Sequence, residues 1–121
     1  MVDEIHAIVN PVAEGGRAGR RWPAVAARLG TIAHTVRCHV TSGPGEATQS
    51  ARDVLHAVVR EVLSIGGDGT TNEIVNGFFH DSDAMAPEAV LSIMPLGTGT
   101  LGVKRNEAGG NVRVEPRDVV A

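Results

Sequence analysis

Aromatic side chains are almost missing from this chain, which has two Phe, one Trp and no Tyr in 121 residues. A core without them must rest on Val, Ile, Leu and Ala, a composition that suits a parallel sheet covered by helices. Cysteine is down to one, Cys38, so an internal disulfide is excluded; its place in a strand-like alternation predicts a buried apolar residue rather than a reactive thiol. Lys104 is the sole lysine and no G-x-x-x-x-G-K-[ST] occurs, which excludes a P-loop. Neither sign of charge dominates. The net charge is -3 with His neutral, and the 11 basic residues are scattered, which argues against a nucleic-acid surface. His6, His34, His39, His56 and His80 are dispersed without ligand spacing, so none is assigned to metal. There is no G-x-S-x-G and no cysteine beside a plausible base, so covalent nucleophilic catalysis has no candidate. No apolar run approaches the roughly 18 residues of a membrane span, and VDEIH at the start has no secretory character. The expectation is a cytoplasmic protein that meets a membrane only at its surface.

What is present is concentrated between Leu63 and Phe79, LSIGGDGTTNEIVNGFF: a short apolar run, a glycine-rich turn and a helix pattern. Gly66, Gly67 and Gly69 carry no Cβ and can bring backbone N–H groups close to a bulky anion. Thr70 and Glu73 have the T-x-x-E spacing of a capping box, and Ile74, Val75, Phe78 and Phe79 recur at helical spacing. A helix starting there aims its unbonded N–H groups and the positive end of its dipole at the same spot, a phosphate site in waiting. Asp68 among the glycines is the residue hardest to explain without chemistry. A carboxylate beside a phosphate is repelled unless a cation lies between them, which points to Mg2+ held through water. Thr41, Thr70 and Thr98 can offer hydroxyls, Asn72 lies in the first helical turn within reach of a ligand, and Asn76 reads as a surface residue. Arg17, in the first glycine loop, is a second phosphate candidate.

Along the chain, Ile5, Ala7, Ile8 and Val9 form a strand that stops at Asn10-Pro11. After the loop VAEGGRAG, Ala18, Trp22, Val25 and Leu29 fall on one helical face. Pro23 requires either a start near Trp22 or a kink. Val36, Cys38 and Val40 alternate as a half-buried strand; after SGPGEA, Ala47, Ala51, Val54, Leu55 and Val58 line a second helix. Val62 to Ile65 is a strand, HDSDAMAPEA a loop, and Val90 to Met94 a strand running into PLGTGT. Residues 101–121 support no more than a short strand at Val112 and Val114 or an irregular tail. Strands and helices alternate, which predicts an α/β fold in three layers: a mainly parallel sheet with helices on both faces, and a ligand beyond the carboxyl ends of the strands. All four strands end in an unusual turn: Asn10-Pro11, Thr41-Ser42-Gly43, GGDGT and PLGTG.

Four of these segments, in this order, resemble the diacylglycerol kinase catalytic domain: IVNP at 8–11, T-x-x-PGEA at 41–47, GGDGT-x-NEIVNG at 66–77 and PLGTG at 95–99. The family includes sphingosine, ceramide and bacterial lipid kinases. NAD kinases and phosphofructokinases share the GGDGT or GGDG turn, but NAD kinases lack the PGEA segment and phosphofructokinases diverge further. The resemblance implies an NAD kinase/diacylglycerol kinase-like fold, with a nucleotide-binding domain over 1–106 and residues 107–121 a tail or the start of a further domain. It implies that ATP touches Asn10, Pro11, Val12, Ala13 and Glu14, then Thr41, then Gly66, Gly67, Asp68, Gly69, Thr70, Thr71 and Asn72, and finally Thr98, with Asp68 the catalytic candidate and Mg2+ the cofactor. Where the family continues PLGTG with Asn, this chain reads TLGVKRN.

Family members place a β-rich lipid-binding domain beyond this point, with the base and metal ligands. The expectation is therefore the ATP-binding domain of a lipid kinase, excised or truncated, acting on diacylglycerol or a sphingoid lipid in the intact enzyme and binding nucleotide without turnover alone. A non-catalytic nucleotide-sensing or interaction module and an NAD kinase relative are the alternatives. The surface left by a missing domain makes a homodimer plausible, and peripheral membrane contact is expected through parts beyond this segment.

Overall fold

The computed structural model describes residues 2–57, 59–80, 83–84, 86–94 and 111–112. In chain order these form β1 (Val2–Val9), α1 (Arg17–Leu29), β2 (Ala33–Val40), α2 (Glu46–His56), β3 (Glu61–Ile65), α3 (Gly67–Gly77), β4 (Phe79–His80), β5 (Asp83–Ala84), β6 (Val90–Ile93) and β7 (Asn111–Val112). The main sheet has the order β2-β1-β3-β6-β7. Its first three pairings are parallel, with Val9 beside Val40 and Ile65, and only β6 with β7 is antiparallel. The expected three-layer α/β architecture, mainly parallel, is what the chain adopts.

The alternation of side chains along each strand sorts the core into two layers. Ile5, Ala7, Val9, Leu63 and Ile65 point to the face that Ala18 and Val25 of α1 cover. Ile8, Val62, Leu91 and Ile93 point to the opposite face, against Ala47, Ala51, Val54 and Leu55 of α2 and Ile74 and Val75 of α3. Ile8, Ile65, Ile74 and Leu91 are at most 0% exposed, and burying each such side chain contributes about 1.5–3 kcal/mol. The two helices on that second face approach closely. A Cβ at Gly77 would lie 2.6 Å from the Thr48 carbonyl oxygen and 2.7 Å from the Ala51 methyl, so only glycine allows this spacing. Thr48 Oγ1 spans the same seam, donating to the Glu73 carbonyl at 2.7 Å.

Several sequence expectations need correction. Pro23 is not near a helix start: α1 begins at Arg17, and Pro23 is inside it, where its ring has no N–H for the Gly19 carbonyl. Cys38 is exposed, not buried, and Val40 is 64% exposed. Both lie on the α1 side of β2, an edge strand whose outer end α1 does not roof. The 80–89 segment is not wholly a loop, because Phe79–His80 and Asp83–Ala84 pair antiparallel. Val58 and the PLGTGT turn with Thr98 lie outside the described residues.

Candidate functional site

From β1 the chain leaves through α1 on one face, and from β3 through α3 on the other. Such a divergence between neighbouring parallel strands opens a crevice at their carboxyl ends, the usual ligand position in doubly wound sheets. The last rung closing the two strands is the Asn10 N–H donating to the Ile65 carbonyl at 2.9 Å. Beyond it the loops separate.

The first loop turns through three successive left-handed residues, Glu14 at φ 54°, Gly15 at 66° and Gly16 at 87°. Glu14 bears on the second loop: its carboxylate occupies the space that a Cβ on Gly67 would need, and Gly67 itself is left-handed at φ 82°. From the first loop, Ala13 packs into the α1-side core, Pro11 accepts the Gly19 N–H at 3.1 Å and Val12 is 75% exposed.

The capping box expected at Thr70 and Glu73 does not form. Helix α3 starts earlier than that motif implies, at Gly67 with Gly66 as its N-cap, and no side chain caps it. Thr70 is therefore inside the first turns, buried, with its Oγ1 donating back to the Gly66 carbonyl at 3.2 Å. Glu73 reaches elsewhere, accepting the Gly45 N–H at 3.0 Å. The opening N–H groups of α3 are thus left to the crevice, where the helix dipole favours an anion. Asp68 and Gly69 sit exposed in this first turn, with Asn72 exposed on the next. The Thr71 side chain faces the sheet, 2% exposed, with its hydroxyl 2.7 Å from that of Ser64, which leaves only its backbone to the crevice.

Beside this helix end lies a cleft of ≈ 290 Å³, walled by Asn10 and Val12 from the first loop, Thr41, Ser42, Gly43 and Pro44 after β2, Ala47 of α2, and Thr70 and Glu73 of α3. Thr41 is buried, its N–H donating to the Val9 carbonyl at 2.8 Å and its Oγ1 reaching the same oxygen at 3.4 Å. Of the residues picked out in the sequence, Asn10, Val12, Thr41 and Thr70 come together here. Ser42, Gly43, Pro44, Ala47 and Glu73 were missed as lining; the T-x-x-PGEA segment was the signal that held all of them but Glu73. Among the described residues no group of three His, Cys, Asp or Glu side chains is placed to hold a metal ion.

A second polar cluster stands away from the cleft, on the β1 and β2 surface facing α2. His6 Nδ1 and His39 Nε2 are 2.7 Å apart, with the rings stacked at 5.0 Å and 19°. One ring must donate and the other accept, so the contact requires a neutral nitrogen. Glu4 Oε1 receives the Arg37 Nε–H at 3.0 Å and approaches the buried His6 Nε2 at 3.2 Å without the geometry of a hydrogen bond. Burial, then the charges of His6 and Arg37, hold the His39 pKa below its ordinary value against the opposing pull of Asp53. The Arg37 guanidinium, and secondarily the adjacent His6 ring, lower that of Glu4.

Fold and cleft together define a doubly wound α/β domain whose ligand crevice, at the switch point, is walled by an uncapped, glycine-led helix end. The chain belongs to the diacylglycerol kinase catalytic domain family, whose model matches residues 4–113. It is 31% identical over 91 residues to a diacylglycerol kinase of Staphylococcus haemolyticus, covering 75% of this chain and 26% of that protein. It is 35% identical over 71 residues to a protein of Chromohalobacter salexigens named "Probable lipid kinase YegS-like", covering 59% of this chain and 22% of that one. The crystal structure of a diacylglycerol kinase from Bacillus anthracis str. Sterne superimposes with a TM-score of 0.65 at 26% identity, covering 79% of this chain and 34% of the other. The chain thus spans between 22% and 34% of the length of these relatives.

Proposed function

We propose that this domain is the ATP-binding part of a lipid kinase that moves the γ-phosphoryl group of ATP onto a lipid hydroxyl, diacylglycerol being the preferred acceptor. The observation that carries the reading is the uncapped N-terminus of α3 at the switch point, opening beside a cleft of nucleoside size. Membership of the family and the names of the relatives supply the acceptor class.

In this reading the first-turn amides of α3 take the phosphates, and the Asn10–Glu14 loop and Thr41 take the rest of the nucleotide, with Thr98 a further contact. Mg2+ fits the donor set, since it retains waters and needs only one or two carboxylates beside phosphate oxygens; the exposed Asp68 would supply one, and the metal would neutralise charge on the phosphates. The lipid oxygen bonds to the γ-phosphorus as the bond to the β–γ bridging oxygen breaks. ADP leaves with that electron pair, and the hydroxyl proton passes to a base. Turnover requires more chain than these 121 residues, by comparison with the longer relatives, so the segment alone binds nucleotide without transferring phosphate. The same reading allows peripheral contact with a membrane and pairing of two copies.

Titration calorimetry with ATP, ADP and NAD in the presence of Mg2+ tests it. ATP and ADP should bind and NAD should not. Preference for NAD would point to an NAD kinase relative, and indifference to all three to a non-catalytic interaction module. A relative-length chain carrying this domain, assayed for phosphate transfer to several lipids, tests the acceptor.

A further inference from the structure

Glu73 does two things at once. Its main-chain oxygen accepts from Thr48 Oγ1 at 2.7 Å, and its carboxylate crosses the seam to accept the N–H of Gly45 at 3.0 Å. Gly45 is the N-cap of α2, left-handed at φ 83° and served by no side chain of its own helix. The same helix end carries Glu46 in its first turn, where Glu46 Oε2 accepts from Ser42 Oγ at 2.9 Å. The positive end of the α2 dipole is therefore already met by two carboxylates, which repel a phosphate placed there. Carboxylates stand at the α3 end as well, Glu14 against Gly67 and Asp68 in the first turn, but only at α2 is the N-cap N–H itself taken by a carboxylate, that of Glu73. In the nucleotide reading the phosphates therefore lie toward α3, with Mg2+ beside Asp68, and the neutral half lies toward the turn after β2.

We propose that Glu73 is a positioning residue of this cleft: by holding the Gly45 N–H it fixes the 41–45 turn as the wall against which the sugar and base rest. This rests on the nucleotide reading above. Glu73 does not touch the phosphates, so its effect is confined to the nucleoside half.

Three variants separate the alternatives. Glu73→Gln keeps an oxygen within reach of Gly45, Glu73→Asp keeps the charge but stops one methylene short, and Glu73→Ala removes both. Calorimetry with ATP and with inorganic tripolyphosphate, together with amide exchange at Gly45 followed by NMR, supplies the readouts. Glu73→Gln should hold ATP within about twofold. Glu73→Ala and Glu73→Asp should lose about tenfold, the scale of one hydrogen bond to a charged group. Tripolyphosphate affinity should not move in any of them, and Gly45 exchange should accelerate only in the Ala and Asp variants. If the Ala variant does not fold, the Asp variant carries the test. Equal loss for ATP and tripolyphosphate, or a Gln variant as weak as the Asp variant, overturns the proposal. If the unsubstituted chain binds neither probe while Gly45 stays protected, the nucleotide reading falls and the positioning role with it.

Discussion

The hydroxyls of Ser64 on β3 and Thr71 on α3 meet at 2.7 Å beneath the helix, both side chains at most 2% exposed. Among the described residues the two hydroxyls bond to each other, and they tie the start of α3 to the strand that precedes it. Replacing Thr71 by Val leaves the Ser64 hydroxyl buried and unpaired, at a cost of about 1–3 kcal/mol. The double variant Ser64→Ala, Thr71→Val should recover most of that loss. Urea midpoints of the two singles and the double measure it; a double variant as unstable as the sum of the singles would refute the pairing.

Two glycines of the GGDGT turn should respond in opposite ways. Gly67 is left-handed and pressed by Glu14, so Gly67→Ala should destabilise by about 1–2 kcal/mol before any ligand is considered. Gly69 has no atom within 4 Å of where a Cβ would stand, and its backbone is helical. Gly69→Ala should leave Tm unchanged or raise stability by up to about 1 kcal/mol. Its methyl group nevertheless projects from the helix end that is to receive phosphate, so ATP affinity should fall. Thermal melts and calorimetry on both variants read the split; loss of Tm without loss of affinity at position 69 would contradict it.

Acidification should loosen the β1–β2 edge through His39. With its folded-state pKa below the ordinary 6.5, His39 takes up a proton more readily when unfolded. Its contribution is full above about pH 6.5 and is lost as pH falls through the folded-state value. Glu4, His6 and Arg37 on the sheet and Asp53 on α2 surround the ring. Burial raises the Glu61 carboxyl above 4.5, which acts in the opposite sense, its stabilisation fading as pH rises through the raised value. Urea midpoints of the unsubstituted chain and His39→Gln, compared from about pH 7.5 to about 5.5, isolate the ring. The slope should flatten in the variant.

Strand and helix order, the two-faced core and the place of the GGDGT turn between β3 and α3 were legible because apolar periodicity and glycine placement are local signals. What failed were features set by distant neighbours. The Thr70 and Glu73 spacing matches a capping box, yet Glu73 finds Gly45, 28 positions away, and that contact wins. Alternation assigned Cys38 to the correct face of β2 but could not tell that no helix covers that end of an edge strand. For Pro23 the sequence left open a start near Trp22 or a kink, and the face of Ala18, Trp22, Val25 and Leu29 carries the helix through it. The Ser64–Thr71 contact was not legible either, because it depends on the register of α3 over β3.

The strand that comes first in the sequence is the one that the sheet is assembled around. β1 borders both β2 and β3, and no two neighbours among β2, β1, β3 and β6 are joined by a hairpin. During synthesis, then, the opening segment waits for strands that emerge much later, paying loop-closure entropy before any contact forms. The crevice is born in the same event, since its floor is the seam that joins β1 to β3.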